Sequence, residues 1–143
     1  MLTILFLCTS NSCRSQMAEA LAHDLYPQHI FYSAGIKTHG INSHAIKVIE
    51  ELGLDMSSQY SKHIDTLQNI NFDVIITVCN NAKESCPLFM GKALKLHHSF
   101  QDPPTLAANI KKEAEKLRLY RKVRDEIKHY LVAELPQLVK GLV

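Results

Sequence analysis

Leu2 to Ser15 has the sequence LTILFLCTSNSCRS, in which a short polar loop joins an apolar run to a helical pattern. Residues 2–7 are almost all apolar, as is typical of a strand buried on both faces of a parallel sheet. After the loop, apolar residues recur at helical spacing, namely Met17, Ala18, Leu21, Ala22 and Leu25. The segment therefore predicts a strand, a loop and a helix whose first turn lies between Ser12 and Ser15.

The polar loop carries a cysteine and an arginine separated by five residues, Cys8 and Arg14. The unpaired N–H groups and the positive dipole end of a helix N-terminus favour an anion, and the guanidinium adds a full positive charge. The same surroundings stabilise a thiolate, so Cys8 is predicted to be a nucleophile rather than a small buried core residue. The predicted oxyanion-binding residues are Thr9, Ser10, Asn11, Ser12, Cys13, Arg14 and Ser15.

The rest of the chain alternates between strand and helix patterns. Three further strands are predicted at about residues 30–33, 73–78 and 93–97. The strand at residues 73–78 ends beside Cys79, which is therefore expected at the same sheet edge as Cys8. Asn42 or Ser43 is expected to cap a second helix, and a long helix is predicted over residues 106–134. The fold class is therefore α/β, with one domain over residues 1–143 that contains a four-stranded parallel sheet flanked by helices on both faces.

Composition and charge limit the function classes. The chain has 143 residues, a net charge of +2 and no strongly basic surface signal, because acidic residues interrupt the basic residues of the long helix. Neither a nucleic-acid partner nor a membrane is expected, since the first apolar run is too short for a signal peptide or a span. A cytoplasmic monomer is expected, in which four cysteines serve chemistry rather than a structural disulfide framework.

The loop and the start of its helix resemble a known family. Cys8 to Arg14, followed by the run NSCRSQMAE over residues 11–19, is similar to the phosphate-binding loop of low-molecular-weight protein tyrosine phosphatases. It is also similar to that loop in the thioredoxin-coupled arsenate reductases that share their fold. Gln16 stands where the phosphatases usually have proline, so the resemblance is closer to the reductases. It implies a flavodoxin-like strand order.

The resemblance extends to two later cysteines, Cys79 and Cys86, whose separation matches the reductases. It implies that Cys8 attacks arsenate, that Cys79 attacks the Cys8 adduct, and that Cys86 then takes over the disulfide, which thioredoxin reduces. Phosphate and sulfate are the expected competing anions, and no cofactor is implied. Asp102 precedes a proline as the general acid of this fold does. The alternative is an aspartate that begins a turn.

Three positions depart from the family pattern. Lys62 stands where the reductases have an acidic residue that helps to bind potassium, which suggests that an ammonium group takes the place of the ion. Gln101 replaces a second aspartate, and Ser10 replaces a loop glycine, which matters if that residue needs a positive φ.

The cysteines and the loop also allow other interpretations. Cys13 can serve packing or form an occasional disulfide with Cys8, and packing is favoured. Cys79, Cys86, His97 and His98 do not have the usual spacing of zinc ligands, so no metal site is predicted. The competing functions are a phosphatase that hydrolyses phosphomonoesters and a non-catalytic anion binder.

Overall fold

The computed structural model describes residues 1–80 and 91–143. Four strands form its sheet: β1 (Thr3–Cys8), β2 (Ile30–Gly35), β3 (Val74–Thr77) and β4 (Leu94–His97). All pairings are parallel and the order is β2-β1-β3-β4, which confirms the predicted flavodoxin-like sheet. Every residue of β3 and all but the first of β1 are buried, so the centre of the sheet is covered on both faces.

Five α-helices lie in the described ranges, in this order: α1 (Arg14–Leu25), α2 (Ser43–Glu50), α3 (Pro103–Leu106), α4 (Glu113–Ala133) and α5 (Leu135–Leu138). A 3₁₀ turn occupies Ile64–Leu67. α1, α2 and α4 pack against one another, and α1 also contacts β1 and β2. In the ranges 1–80 and 91–143, no helix is both long and apolar enough to cross a membrane.

The boundaries of the early elements follow from local chemistry. Asn42 caps α2, because its side-chain oxygen accepts hydrogen bonds from the N–H groups of His44 and Ala45 at 2.8 and 3.2 Å. Gly53 lies three residues beyond the end of α2 and has a φ of 78°, the left-handed conformation that favours glycine. Strand β2 is longer than predicted and ends at Gly35. A side chain at Gly35 would lie 2.7 Å from the N atom of Asn11, so only glycine lets the polar loop after β1 pass this close.

The prediction of one helix over residues 106–134 was wrong. The chain forms the short helix α3, leaves the helical conformation over residues 107–112, and begins α4 at Glu113. The two prolines that follow Asp102 occupy the first turn of α3, where a missing N–H costs nothing. Ala114, near the start of α4, is exposed, whereas Val123, Ile127 and Leu131 are in the core.

Candidate active site

The loop between β1 and α1 carries Cys8 at its start and Arg14 at its end, the last residue of the strand and the first of the helix. Among the described non-glycine residues, Asn11 alone has a positive φ, 49°. Ser10 therefore does not occupy the position that would require glycine, and its difference from the family pattern strains nothing. Asparagine tolerates the left-handed conformation better than most residues.

A buried network holds Asn11 in this conformation. Its side-chain oxygen accepts hydrogen bonds from the Lys62 backbone N–H and from Nε2 of Gln16, each at 2.9 Å. Gln16 is held in turn by Nε2 of Gln59, which donates to its side-chain oxygen at 2.8 Å. These two accepted hydrogen bonds fix which end of the Asn11 amide is the oxygen. The Nδ2 group therefore faces Ser15 and donates to its hydroxyl oxygen at 2.9 Å.

This network ends on the sulfur of Cys8. The Ser15 hydroxyl oxygen lies 3.1 Å from Cys8 Sγ, and it already accepts a hydrogen bond from Asn11. Its own proton is therefore available to the sulfur, which is the interaction that a thiolate needs. Asn11 and Ser15 are both fully buried, and neither lines the cavity in front of Cys8. Their side chains support the loop from behind, so a direct role in oxyanion binding falls to their backbone N–H groups and stays a prediction.

Cys8, Arg14 and Asp102 line one cavity of about 430 Å³. Arg14 donates from Nη1 to the Phe100 carbonyl oxygen at 2.9 Å, and its Nη2 lies 3.6 Å from Asp102 Oδ1. The loop after β4 therefore aims the guanidinium into the cavity. The other residues that line the cavity are Thr9, Ser10, Ser12, Cys13, Lys37, His39, Asn42 and Pro104.

Asp102 both begins a turn and lies at the cavity, and its role as the general acid stays a prediction. Its Oδ2 accepts a hydrogen bond from Thr105 Oγ1 at 2.8 Å, so it does begin the turn of α3. The other carboxylate oxygen faces Arg14 at the cavity, and the side chain is 37% exposed. A general acid needs this combination of access to the anion and to solvent.

Cys79 contacts the loop through a hydrogen bond with the Thr9 hydroxyl group. It follows β3, which pairs directly with β1, and its sulfur lies 3.2 Å from Oγ1 of Thr9, the residue after Cys8. Cys79 is only 4% exposed. Cys86 lies outside the described residues, so its predicted role is not tested here.

Cys13 is buried beside the cavity. Burial raises the pKa of its thiol far above the ordinary range, and the nearby Asp102 and Cys8 raise it further. A thiol that stays protonated is a poor nucleophile, which agrees with the packing interpretation.

Lys62 places a second positive charge beside the loop, in addition to Arg14. Its ammonium donates to the Tyr60 carbonyl oxygen at 3.1 Å and lies 3.9 Å from Glu19 Oε1, and both side chains are 90% or more buried. Burial lowers the Lys62 pKa, and Glu19 opposes this shift. Ser33 donates to the same Glu19 oxygen at 2.6 Å. Since the Lys62 ammonium already faces the Tyr60 carbonyl oxygen and the Glu19 carboxylate, the potassium ion implied by the resemblance does not fit here.

Sequence reasoning missed several of these partners. Gln16 and Glu19 are polar residues within a helix whose residues 15–22 are all buried, and that interruption of an apolar, alanine-rich stretch was the available signal. The bond between Thr9 and Cys79 has no sequence signal, because 70 residues separate the partners.

The fold and this site define the class of protein. The family model for the low molecular weight phosphotyrosine protein phosphatases matches residues 3–142, and the chain belongs to this family. It is similar to the arsenate reductase of Bacillus subtilis (strain 168), with 42% identity over 125 residues, which cover 87% of this chain and 88% of the relative. The arsenate reductase of Shouchella clausii (strain KSM-K16) is 44% identical over 127 residues, with the same two shares.

A solved structure supports the same placement. The structure titled "An arsenate reductase in the phosphate binding state" covers 100% of both chains with a TM-score of 0.79 and 27% identity. The predicted resemblance and fold are thereby confirmed.

Proposed function

We propose that this chain reduces arsenate to arsenite through Cys8, Cys79 and Cys86, and that thioredoxin regenerates it. The observation that carries the proposal is the position of Cys79, whose sulfur is hydrogen-bonded to Thr9, the neighbour of Cys8. A phosphatase needs only Cys8, Arg14 and Asp102, and gives this second cysteine no role. The names of the relatives, which are arsenate reductases, support the same choice.

The first step uses the cavity. Arsenate resembles phosphate in shape and charge, so Arg14 and the loop N–H groups suit it. The Cys8 thiolate attacks arsenic, a sulfur–arsenic bond forms, and one oxygen leaves as water after taking a proton from Asp102. Phosphate and sulfate compete for the same place.

The second step is the reduction. The Cys79 thiolate attacks the sulfur of Cys8, so the disulfide forms as the sulfur–arsenic bond breaks with its electron pair on arsenic. Arsenic(V) becomes arsenic(III), and arsenite leaves, while the two cysteines are oxidised by two electrons. Thr9 holds the attacking sulfur close to the loop.

The last step restores Cys8. The Cys86 thiolate attacks the Cys79 sulfur, which moves the disulfide to Cys79 and Cys86 and releases the Cys8 thiolate. An external dithiol then reduces this disulfide by two further exchanges. We assign that role to thioredoxin and place the enzyme in the cytoplasm as a monomer.

The test is arsenate-dependent NADPH consumption in the presence of thioredoxin and thioredoxin reductase. Wild type is expected to turn over many times. Cys79→Ser is expected to lose this activity but to keep slow hydrolysis of an aryl phosphate, which uses only Cys8, Arg14 and Asp102. Cys86→Ser is expected to release about one arsenite per enzyme and then stall.

Controls define what would overturn the proposal. Cys8→Ser is expected to lose both activities, whereas Cys13→Ala is expected to keep both. Mass spectrometry of stalled Cys86→Ser should find Cys8 joined to Cys79, and oxidised wild type should carry Cys79 joined to Cys86. Sustained arsenate turnover by Cys79→Ser would reject the relay and favour the phosphatase.

A further inference from the structure

The imidazole of His97 bridges two side chains on either side of Cys79. Its Nδ1 lies 2.7 Å from Oγ1 of Thr77, two residues before the cysteine, and its Nε2 lies 3.1 Å from Oδ1 of Asn80, the residue after it. Thr77 and His97 are paired residues at the ends of β3 and β4. The bridge therefore spans the point at which the chain leaves the sheet toward Cys79.

The hydrogen-bond chemistry is satisfied in either protonation state of the ring. Because Asn80 presents its oxygen, Nε2 carries the proton in the neutral ring, and Thr77 then donates its hydroxyl proton to Nδ1. If the ring gains a proton, Nδ1 donates to Thr77, whose own proton can turn to the Leu96 carbonyl oxygen at 3.3 Å. The bridge thus persists through protonation.

The backbone before Cys79 is held by β1 and by the loop that follows β4. The Val78 N–H donates to the Leu7 carbonyl oxygen at 2.9 Å, and the Val78 carbonyl oxygen accepts from the Phe100 N–H at 3.1 Å. On the other side of the cysteine, the His97 bond reaches Asn80, while the Cys79 side chain itself meets Thr9. These contacts fix the cysteine between two anchored residues.

We propose that His97 is a positioning residue for Cys79, and that it sets the geometry of the attack on the Cys8 sulfur. This inference rests on the proposed reductase function. The ring binds Thr77 and Asn80, which flank Cys79, and it does not line the cavity that contains Cys8. Its effect should therefore fall on the second step, in which the disulfide forms and the sulfur–arsenic bond breaks, and not on the first step at Cys8.

Two amide variants separate the two ring nitrogens. The side chain of His97→Asn ends near the position of Nδ1, so it can keep the bond to Thr77 but cannot reach Asn80. The side chain of His97→Gln is longer and can donate to Asn80. Single-turnover measurements should therefore show arsenite release slowed about 10- to 100-fold in His97→Asn and largely restored in His97→Gln.

The same experiment contains its own controls. Asn80→Ala removes the bond from an exposed residue, so it should slow arsenite release without threatening the fold, and it should add little to His97→Asn. Formation of the Cys8 adduct and hydrolysis of an aryl phosphate should equal wild type in all these variants. His129→Asn, at an exposed position of α4, should change neither step.

Each outcome decides a different claim. Unchanged arsenite release in both His97→Asn and Asn80→Ala would overturn the positioning role while leaving the reductase proposal intact. Equal slowing of adduct formation and arsenite release would assign the histidine to general support of the fold and would also overturn it. A wild-type enzyme that hydrolyses aryl phosphate but releases no arsenite would reject the reductase proposal and this inference together.

Discussion

The Ser15 hydroxyl group lies 3.1 Å from the Cys8 sulfur and accepts a hydrogen bond from the Asn11 side chain at 2.9 Å. The hydroxyl oxygen thus accepts from Asn11, and the hydroxyl proton is available to a Cys8 thiolate, which can only accept. A hydrogen bond to a charged group contributes about 1.5–3 kcal/mol. Ser15→Ala is therefore expected to move the pH profile of Cys8 alkylation by about one to two units toward higher pH.

Mass spectrometry of the alkylated peptide measures this profile for Cys8 alone. Ser43→Ala, at an exposed serine on the first turn of α2, is the matched control and should leave the profile in place. An unchanged profile in Ser15→Ala would mean that the helix N-terminus and Arg14 stabilise the thiolate without the hydroxyl.

Asp102 is placed to act as the general acid, and Asp102→Asn tests this role. The amide cannot deliver a proton to the leaving oxygen, so formation of the Cys8 adduct should slow about 10²- to 10⁴-fold. Binding of phosphate should survive, because Arg14 and the loop remain. Rapid-mixing measurement of the adduct step gives the rate.

Thr105→Val distinguishes a role of Asp102 as general acid from its role in starting the turn of α3. It removes the hydrogen bond that ties Asp102 to α3 but leaves the carboxylate at the cavity. A loss of about 0.5–1.5 kcal/mol of stability with a nearly normal adduct rate is expected. If the two variants slow the adduct step equally, Asp102 acts by starting the turn.

The central part of the fold could be predicted because its signals are local. The apolar run before Cys8, the helical spacing after it and the cap at Asn42 each specify an element within a few residues. The placement of Cys79 at the edge of the sheet beside Cys8 follows from the rule that parallel strands end together.

The break between α3 and α4 could not be predicted in the same way. Residues 107–112 contain no glycine or proline, so no stop signal interrupts the helical pattern. The start of α4 is set by tertiary contacts instead, since Glu113 lies 2.8 Å from Nε2 of His44 and 3.6 Å from the ammonium of Lys47 on α2. Likewise, the bridge from Thr77 to Asn80 depends on the register of β3 and β4, which the sequence does not specify.

His29 couples the start of β1 to pH. Its Nδ1 accepts a hydrogen bond from the Leu2 backbone N–H at 3.0 Å, which requires the neutral ring. Burial lowers its pKa below 6.5, and the nearby N-terminus adds to this shift. Because the unfolded state binds the proton more readily, this contribution is present above pH 6.5 and is lost as pH falls from there through the lower folded-state pKa.

Urea unfolding of wild type and His29→Gln from pH 7.5 to 5 tests this coupling. Wild type should lose more stability than the variant on acidification, because glutamine can accept the same hydrogen bond but does not titrate in this range. His129→Gln, at an exposed site, should follow wild type. Parallel curves for wild type and His29→Gln would show that the histidine does not contribute to the pH dependence.

Lys62 provides the last prediction, because its ammonium faces a carboxylate that has little access to water. Glu19 and Lys62 are each 7% exposed and lie 3.9 Å apart. Lys62→Met removes the ammonium but preserves most of the apolar stem, so Glu19 is left with the Ser33 hydroxyl as a donor and with His23, whose Nε2 lies 3.7 Å from Oε2. The cost of a buried carboxylate without its cation should lower the free energy of unfolding by about 1–3 kcal/mol.

The double variant Glu19→Gln with Lys62→Met supplies the control. Removing the charge of the carboxylate should recover part of the lost stability, since a neutral amide needs no cation. Replacing sodium with potassium in the buffer should leave wild type unchanged, because the Lys62 ammonium already balances the charge of the buried Glu19 carboxylate. A wild type that gains stability specifically with potassium would contradict this account, and it would place an ion beside the loop together with Lys62.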